Sequence, residues 1–335
     1  MRPVDVEVVV VGAGVMGLAT ARALAQAGHE VVLFEQHRLG HDLGSSHGAS
    51  RIVRLSYPDA RWVRLAQESY PLWRALEAEA GTPLLELYGT LDLGDWPLNR
   101  DALAACGVAS EVLERAAVER RHGILLEPGE QALFQADGGI VYADRALEAL
   151  AASAAQAGTE LREGVRAAVE EQKESVVAGG IRARAAVVTA GSWAPKLFEV
   201  DATATRETVS YFSLAKPVPS VIDTNAGTHP GYALTAPGGL LKAGLHQTGP
   251  AIDPDEPGGA DPRLAEATGA WVARRFGERG ASVGLETCLY TLRENDEFLL
   301  ERRGRVVIGS PCSGHGFKFA PAVAQRLAAL ALEVL

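Results

Sequence analysis

Val6-Glu7-Val8-Val9-Val10-Val11, followed by Gly12-Ala13-Gly14-Val15-Met16-Gly17, is the stretch on which the fold turns. A valine run apolar on both faces predicts a central parallel strand rather than a half-exposed one. The next six residues spell G-x-G-x-x-G. Residues 16–27 then place Leu18, Ala21, Leu24 and Ala25 on one helical face, and Gly28 follows as a C-cap. Residues 30–35 read as a second strand ending in Glu35. In such a β-loop-α-β unit the first glycine permits the tight turn and the second admits a pyrophosphate against the backbone. The third lets helix and strand close on one another. The helix N-terminus offers free N–H groups and positive dipole to the phosphates. Glu35, about 20 residues on, is placed to accept hydrogen bonds from ribose hydroxyls and to repel a 2′-phosphate.

Outward from this unit, residues 39–50 are polar and glycine-rich and read as a loop. Helices are expected at 61–80, 99–105, 111–121, 144–156, 264–276 and 323–335. Strands are expected at 85–93, 138–142, 185–190, 205–214, 240–246 and 306–308. Residues 248–262, rich in Pro, Gly and Asp, read as a surface loop, and 309–316 as another. Parallel-type strands near the beginning, middle and end, with antiparallel-looking pieces between, imply two interleaved units. One is expected to comprise residues 1–80, 142–205 and 285–335 and to hold the dinucleotide. The other, 81–141 and 206–284, is expected to be a mixed-sheet α+β unit that holds a substrate.

A chain of 335 residues exceeds what one core usually accommodates, which supports two units. The net charge of −10 argues against a nucleic-acid or anionic-membrane partner. No apolar run is long enough to span a bilayer, and no secretory leader is expected. Cys106, Cys288 and Cys312 are odd in number and widely spaced, with neither a disulfide framework nor a CxxC pair, so a reducing cytoplasm is expected and no metal site.

Two later segments narrow the reading. Ser45-Ser46-His47-Gly48-Ala49-Ser50-Arg51-Ile52-Val53-Arg54 and Ser313-Gly314-His315-Gly316-Phe317-Lys318-Phe319 resemble the signature stretches of the monomeric sarcosine oxidase family. That family includes N-methyltryptophan and pipecolate oxidases, among the D-amino-acid-oxidase-like flavoproteins. The similarity runs in the same order from Val6 to the last helix. It implies a Rossmann-type, glutathione-reductase-like FAD-binding domain interleaved with the substrate domain, in an α/β protein that is by default a monomer. The implied reaction oxidises a secondary-amine amino acid by hydride transfer to flavin N5, giving an imine and, with oxygen, hydrogen peroxide.

The resemblance also implies roles for particular residues. Cys288 matches the cysteine thioether-linked to the flavin; a buried core cysteine is the competing reading. Arg54 and Lys318 match the pair that grips the substrate carboxylate, Arg as a planar fork and Lys as a point charge. Lys242 matches the lysine whose charge promotes reaction with oxygen, against the alternative of a lysine snorkelling to solvent. His246 and Tyr290 would line the substrate pocket, with His47 and Arg51 against the flavin ring. Gly12, Ala13, Gly14, Val15, Met16, Gly17, Glu35 and Gln36 would hold the adenosine and pyrophosphate. Ser45, Ser50, Ala167, Ala190, Gly191 and Trp193 would line the same cofactor. Gly314, His315, Gly316, Phe317 and Lys318 would close its ring end.

There are departures from the family pattern. The chain is shorter between Tyr232 and Leu240, the approach to Thr208 lacks prolines, and no tail follows Leu335. Competing functions are a flavin-dependent amino acid dehydrogenase using another acceptor, a specialised biosynthetic amine oxidase, a nicotinamide dehydrogenase, and a flavin-binding protein without turnover.

Overall fold

The computed structural model describes residues 4–256, 258–277, 281–310 and 312–335. Pro257 and Pro311, in the two expected loops, lie outside that range. The opening unit forms as read: β1 (Val6–Val11), α1 (Val15–Gln26) and β2 (Val31–Phe34), with β1 and β2 parallel in the register Val8↔Val31 and Val11↔Phe34. Ala27 is the C-cap. Gly28 follows it in the left-handed region at φ +91, letting the His29 N–H close back on the Leu24 carbonyl at 3.2 Å.

Parallel pairing extends from Val306–Ser310 through Ile181–Val188, β1 and β2 to Glu160–Arg162. Antiparallel pieces, Val169–Glu171 with Val176–Ala178 and Leu299–Arg303, complete an eight-stranded sheet. The valine run shows why this sheet is central. Val8 and Val10 pack with Leu18, Leu24 and Val323 against helices on one face. Val9 and Val11 pack with Val32, Phe34, Val188 and Ile308 on the other.

A second eight-stranded sheet runs Gly284–Leu292, Thr203–Ser213, Leu240–Leu245, Gly231–Ala236, Ser220–Asp223, Thr90–Leu93, Gln131–Gln135, Glu111–Glu114. All its neighbours are antiparallel except Ser220–Asp223 with Thr90–Leu93. Helix Pro262–Phe276 covers one face, where Phe212, Leu241, Ala243, Trp271 and Phe276 form the core. The other face meets the site. A three-stranded sheet of Arg51–Val53, Gly139–Val141 and Leu85–Glu86 completes the fold.

Two expectations need correction. Residues 111–121 are not one helix: Glu111–Glu114 is an edge strand on Gln131–Gln135, and the helix is Arg115–His122. Only Leu113 of that strand is buried, so no alternation betrays it. Residues 85–93 are two strands, parted near Gly89, whose φ of +85 turns the chain from one sheet to another. Near the expected shortening, Gly231–Ala236 is a six-residue strand joined to Leu240–Leu245 by a three-residue turn.

Candidate cofactor and substrate site

The site begins where β1 ends. Gly12 has φ +100, and a Cβ there would stand 2.6 Å from the Thr189 carbonyl oxygen. A Cβ on Gly17 would lie 1.8 Å from the Gly12 carbonyl oxygen, so Gly17 serves by letting α1 press on the turn. Glu35 Oε2 accepts from the Ala13 N–H and Oε1 from the His37 N–H, both at 2.9 Å. Each oxygen keeps a further lone pair for a ligand hydroxyl. Ser46 Oγ accepts from the Val15 N–H at 3.1 Å, tying the 45–54 segment to the helix N-terminus. Only its place inside the quoted motif could have flagged Ser46.

From this cradle a cavity of about 650 Å³ runs between the two large sheets. Every residue expected at the site lines it except Gly17, which acts through packing. At the far end, strand periodicity gathers the chemistry. Tyr211 lies opposite Lys242, Val209 opposite Glu286 and Glu207 opposite Cys288. Residues two apart share a face, so Lys242, Tyr211, Glu286, Cys288 and Tyr290 project from one side of three neighbouring strands. The opposite side carries Phe212, Leu241 and Ala243 into the core.

Lys242 is buried, with Nζ 3.3 Å from Glu286 Oε1. Burial and then the Arg51 charge push its pKa down to about 8, with Glu286 and Cys288 acting the other way. His47 Nε2 lies 2.9 Å from the Thr287 carbonyl oxygen and 3.5 Å from Glu286 Oε1. Arg51 donates to the Ser45 and Ser50 carbonyls at 3.0 Å and lies 3.7 Å from Cys288 Sγ. Burial pushes the Cys288 thiol pKa up, and Arg51 and Lys242 oppose that.

Arg54 and Lys318 line the cavity with His246 and Tyr57. Lys318 Nζ donates to the His315 carbonyl at 2.8 Å and has no carboxylate partner among the described residues. Burial, then Arg54, hold its pKa well below the ordinary lysine value. Arg54 stacks 4.2 Å over the Tyr57 ring and pairs with Asp92 Oδ1 at 3.3 Å. Asp92 is itself buried and bonded to Ser56. Asp92 and Glu286 escaped the sequence reading because a lone carboxylate on a strand ordinarily faces water. The fully apolar neighbours of Asp92 were the available signal. His246, its pKa lowered to about 4 by burial and then by Arg54 and Lys318, is neutral at neutral pH and packs 5.5 Å from the Tyr290 ring. Gly314, at φ +75, admits both rings: a Cβ would meet Tyr290 at 2.4 Å and His246 at 2.7 Å.

These residues fit a dinucleotide carrying a reactive ring. A glycine cradle receives the phosphates, and buried His47 Nδ1 and Ser310 Oγ line the cavity without a partner among the described residues. The class is that of nucleotide-dependent oxidoreductases whose phosphates sit on a Rossmann-type turn while the ring reaches a second sheet. Residues 7–330 match the DAO family model, FAD dependent oxidoreductase, and the chain belongs to that family. FAD is therefore its cofactor, and the nicotinamide alternative falls away.

The chain is 30% identical to peroxisomal sarcosine oxidase of Mus musculus, over 98% of this chain and 92% of that protein. It is 31% identical to a probable sarcosine oxidase of Arabidopsis thaliana, over 98% and 88%. Among solved structures, NikD, an unusual amino acid oxidase essential for nikkomycin biosynthesis, superposes in its open form with a TM-score of 0.87. It is 28% identical, covering 98% of this chain and 94% of that one. No helix among the described residues is long and apolar enough to cross a membrane.

Proposed function

We propose that the protein is an amine oxidase that takes a secondary-amine amino acid: sarcosine, another N-methyl amino acid, or a cyclic imino acid. The carrying observation is Lys318, an amino group buried beside Arg54 on the cavity wall with no carboxylate of its own among the described residues. A substrate carboxylate pairs with Arg54 and stabilises the protonated form of Lys318.

FAD, held by the Gly12–Gly17 turn and Glu35, would supply the two-electron chemistry, taking up a hydride equivalent from the carbon beside nitrogen for delivery to oxygen. The balance is amine plus O₂ to imine plus H₂O₂. Water then cleaves an acyclic imine to a carbonyl compound and an amine, whereas a cyclic substrate yields a cyclic imine. Arg54 and Lys318 fix the substrate by its carboxylate, and orientation of this kind is the protein's main contribution. Neutral His246 and the Tyr290 ring wall the pocket and exclude water. Lys242 supplies positive charge where oxygen is reduced. Cys288, on the same sheet face and open to the cavity, is assigned as the covalent attachment point. We assign residues 1–80, 142–205 and 285–335 to cofactor binding and 81–141 and 206–284 to the substrate side. The family resemblance makes a monomer the default, and three unbridged cysteines fit a reducing compartment such as the cytoplasm.

The test is to mix holoprotein anaerobically with sarcosine, N-methyltryptophan, proline, pipecolate and primary amino acids, then admit air. Secondary amines are expected to bleach the yellow flavin, and air to restore it with peroxide formed. Bleaching with only slow recovery in air would mean a dehydrogenase. A bound flavin that no amine bleaches would overturn the amine assignment. In the same preparation, acid precipitation should leave flavin in the pellet for the parent protein and in the supernatant for Cys288→Ser.

A further inference from the structure

Glu286 is a carboxylate among cations, and none of the roles above employs it. It stands two residues before Cys288 on strand Gly284–Leu292, hence on the same face. Its Oε1 is 3.3 Å from Lys242 Nζ and 3.5 Å from His47 Nε2, and its Oε2 accepts the Tyr211 hydroxyl. Gly48 lets the neighbouring loop close on it: at φ +102, a Cβ there would fall 2.5 Å from Glu286 Oε1. Among the described residues, Lys242 makes no other ion pair.

The physical problem at this spot is two buried cations near one another. Arg51 cannot shed its proton, so the strain falls on Lys242, which can. A buried ammonium beside a guanidinium loses its proton unless a carboxylate is held against it. We propose that Glu286, itself held by Tyr211, is the positioning residue that keeps Lys242 in place as a cation at the cavity wall. The inference rests on the reading of Lys242 given under Proposed function. The groups facing Lys242 from the elements around it are Arg51 and His47, Tyr211, Tyr232, and Glu286 with Cys288. Only Glu286 is an anion in the resting state. Although burial works against ionisation, Lys242 and the Tyr211 hydroxyl hold the Glu286 carboxyl below its ordinary pKa, as a standing negative charge requires.

The test uses holoenzyme with Glu286→Gln, Tyr211→Phe, Lys242→Met and the Glu286→Gln/Lys242→Met double variant. Reduced enzyme is mixed with oxygenated buffer from neutral to alkaline pH. In Glu286→Gln the alkaline fall in reoxidation rate should move down by about one pH unit or more, slowing reoxidation near its midpoint by up to about tenfold. Flavin reduction by substrate should change less than about twofold, within the effect of a distant charge. Tyr211→Phe should shift the fall in the same direction by less, and it carries the test if Glu286→Gln does not fold. The double variant should match Lys242→Met, because one residue acts through the other. A second readout needs no turnover. The visible spectrum of the oxidised holoenzyme should titrate with a midpoint that moves down in Glu286→Gln and vanishes in Lys242→Met. If Lys242→Met reoxidises like the parent, the reading of Lys242 fails. If Lys242→Met is slow but neither Glu286→Gln nor Tyr211→Phe moves the limb or the spectral midpoint, the Glu286 inference alone is overturned.

Discussion

At Lys318 the interior holds an amino group hydrogen-bonded to the His315 carbonyl, with the Arg54 guanidinium as a charged neighbour. Both features favour the neutral amine while the pocket has no anion in it. A ligand carboxylate reverses this, because it raises the Lys318 pKa toward its ordinary value. The sign then follows: binding takes up a proton, and affinity falls as pH rises. Calorimetry with a non-oxidisable carboxylate such as acetate, in two buffers of different ionisation heat, should show uptake in the parent and none in Lys318→Met. Uptake unchanged in that variant would remove Lys318 from the carboxylate site. His246 contributes nothing to this titration near neutrality, since its own protonation lies near pH 4. Arg54 and Lys318 were legible because they sit inside long motifs. Asp92, which orients Arg54 from behind, was not, because no spacing rule ties residue 92 to residue 54.

Among the elements, helix Pro262–Phe276 is fixed to the second sheet by polar contacts as well as by its apolar stripe. Arg275 is buried and reaches Asp223 Oδ2 at 2.7 Å and Glu130 Oε2 at 2.5 Å, while Trp271 Nε1 donates to Asp223 at 2.7 Å. Arg275→Met would strand the Asp223 carboxylate in the interior and should cost about 3–5 kcal/mol, read from the denaturant midpoint. A loss under about 1 kcal/mol would mean that Asp223 accepts a proton or water cheaply. This network was invisible beforehand, because its members lie at 130, 223, 271 and 275 and meet only through the fold. The opening β-loop-α-β unit could be read because local pattern and tertiary environment agree there. At Glu111–Glu114 they diverge: an edge strand that buries only Leu113 has no hydrophobic period to display.

Across the whole molecule, a crossing segment ties the second sheet to the first. After leaving strand Leu240–Leu245, the chain carries Asp255 back to the first sheet's side. There it meets Lys196 at 2.6 Å, Arg166 at 3.2 Å and the Trp193 indole N–H at 2.7 Å. Arg166 and Trp193 both line the cofactor end. Each exposed ion pair contributes only about 0–1 kcal/mol, so Asp255→Asn should leave global stability nearly unchanged and instead free the segment locally. Hydrogen exchange at backbone amides of residues 248–256 should quicken several-fold in the variant, and partly so in the parent at high salt. Exchange unaltered in both would show that loop packing, not charge, holds the segment down.

The order in which the strands join the first sheet has a consequence for biosynthesis. Its parallel run takes β1 and β2 from the beginning of the chain, Glu160–Arg162 and Ile181–Val188 from the middle, and Val306–Ser310 from close to residue 335. The ring end of the cavity waits on Gly314–Lys318 as well. On a ribosome delivering residues from the N-terminus, the glycine cradle emerges well before strand Val306–Ser310, which extends its parallel run. The nascent chain therefore carries the nucleotide turn for a long interval before its chamber can be finished. Completion of the cofactor chamber therefore waits on the segments from Val306 to Lys318, made long after the glycine cradle.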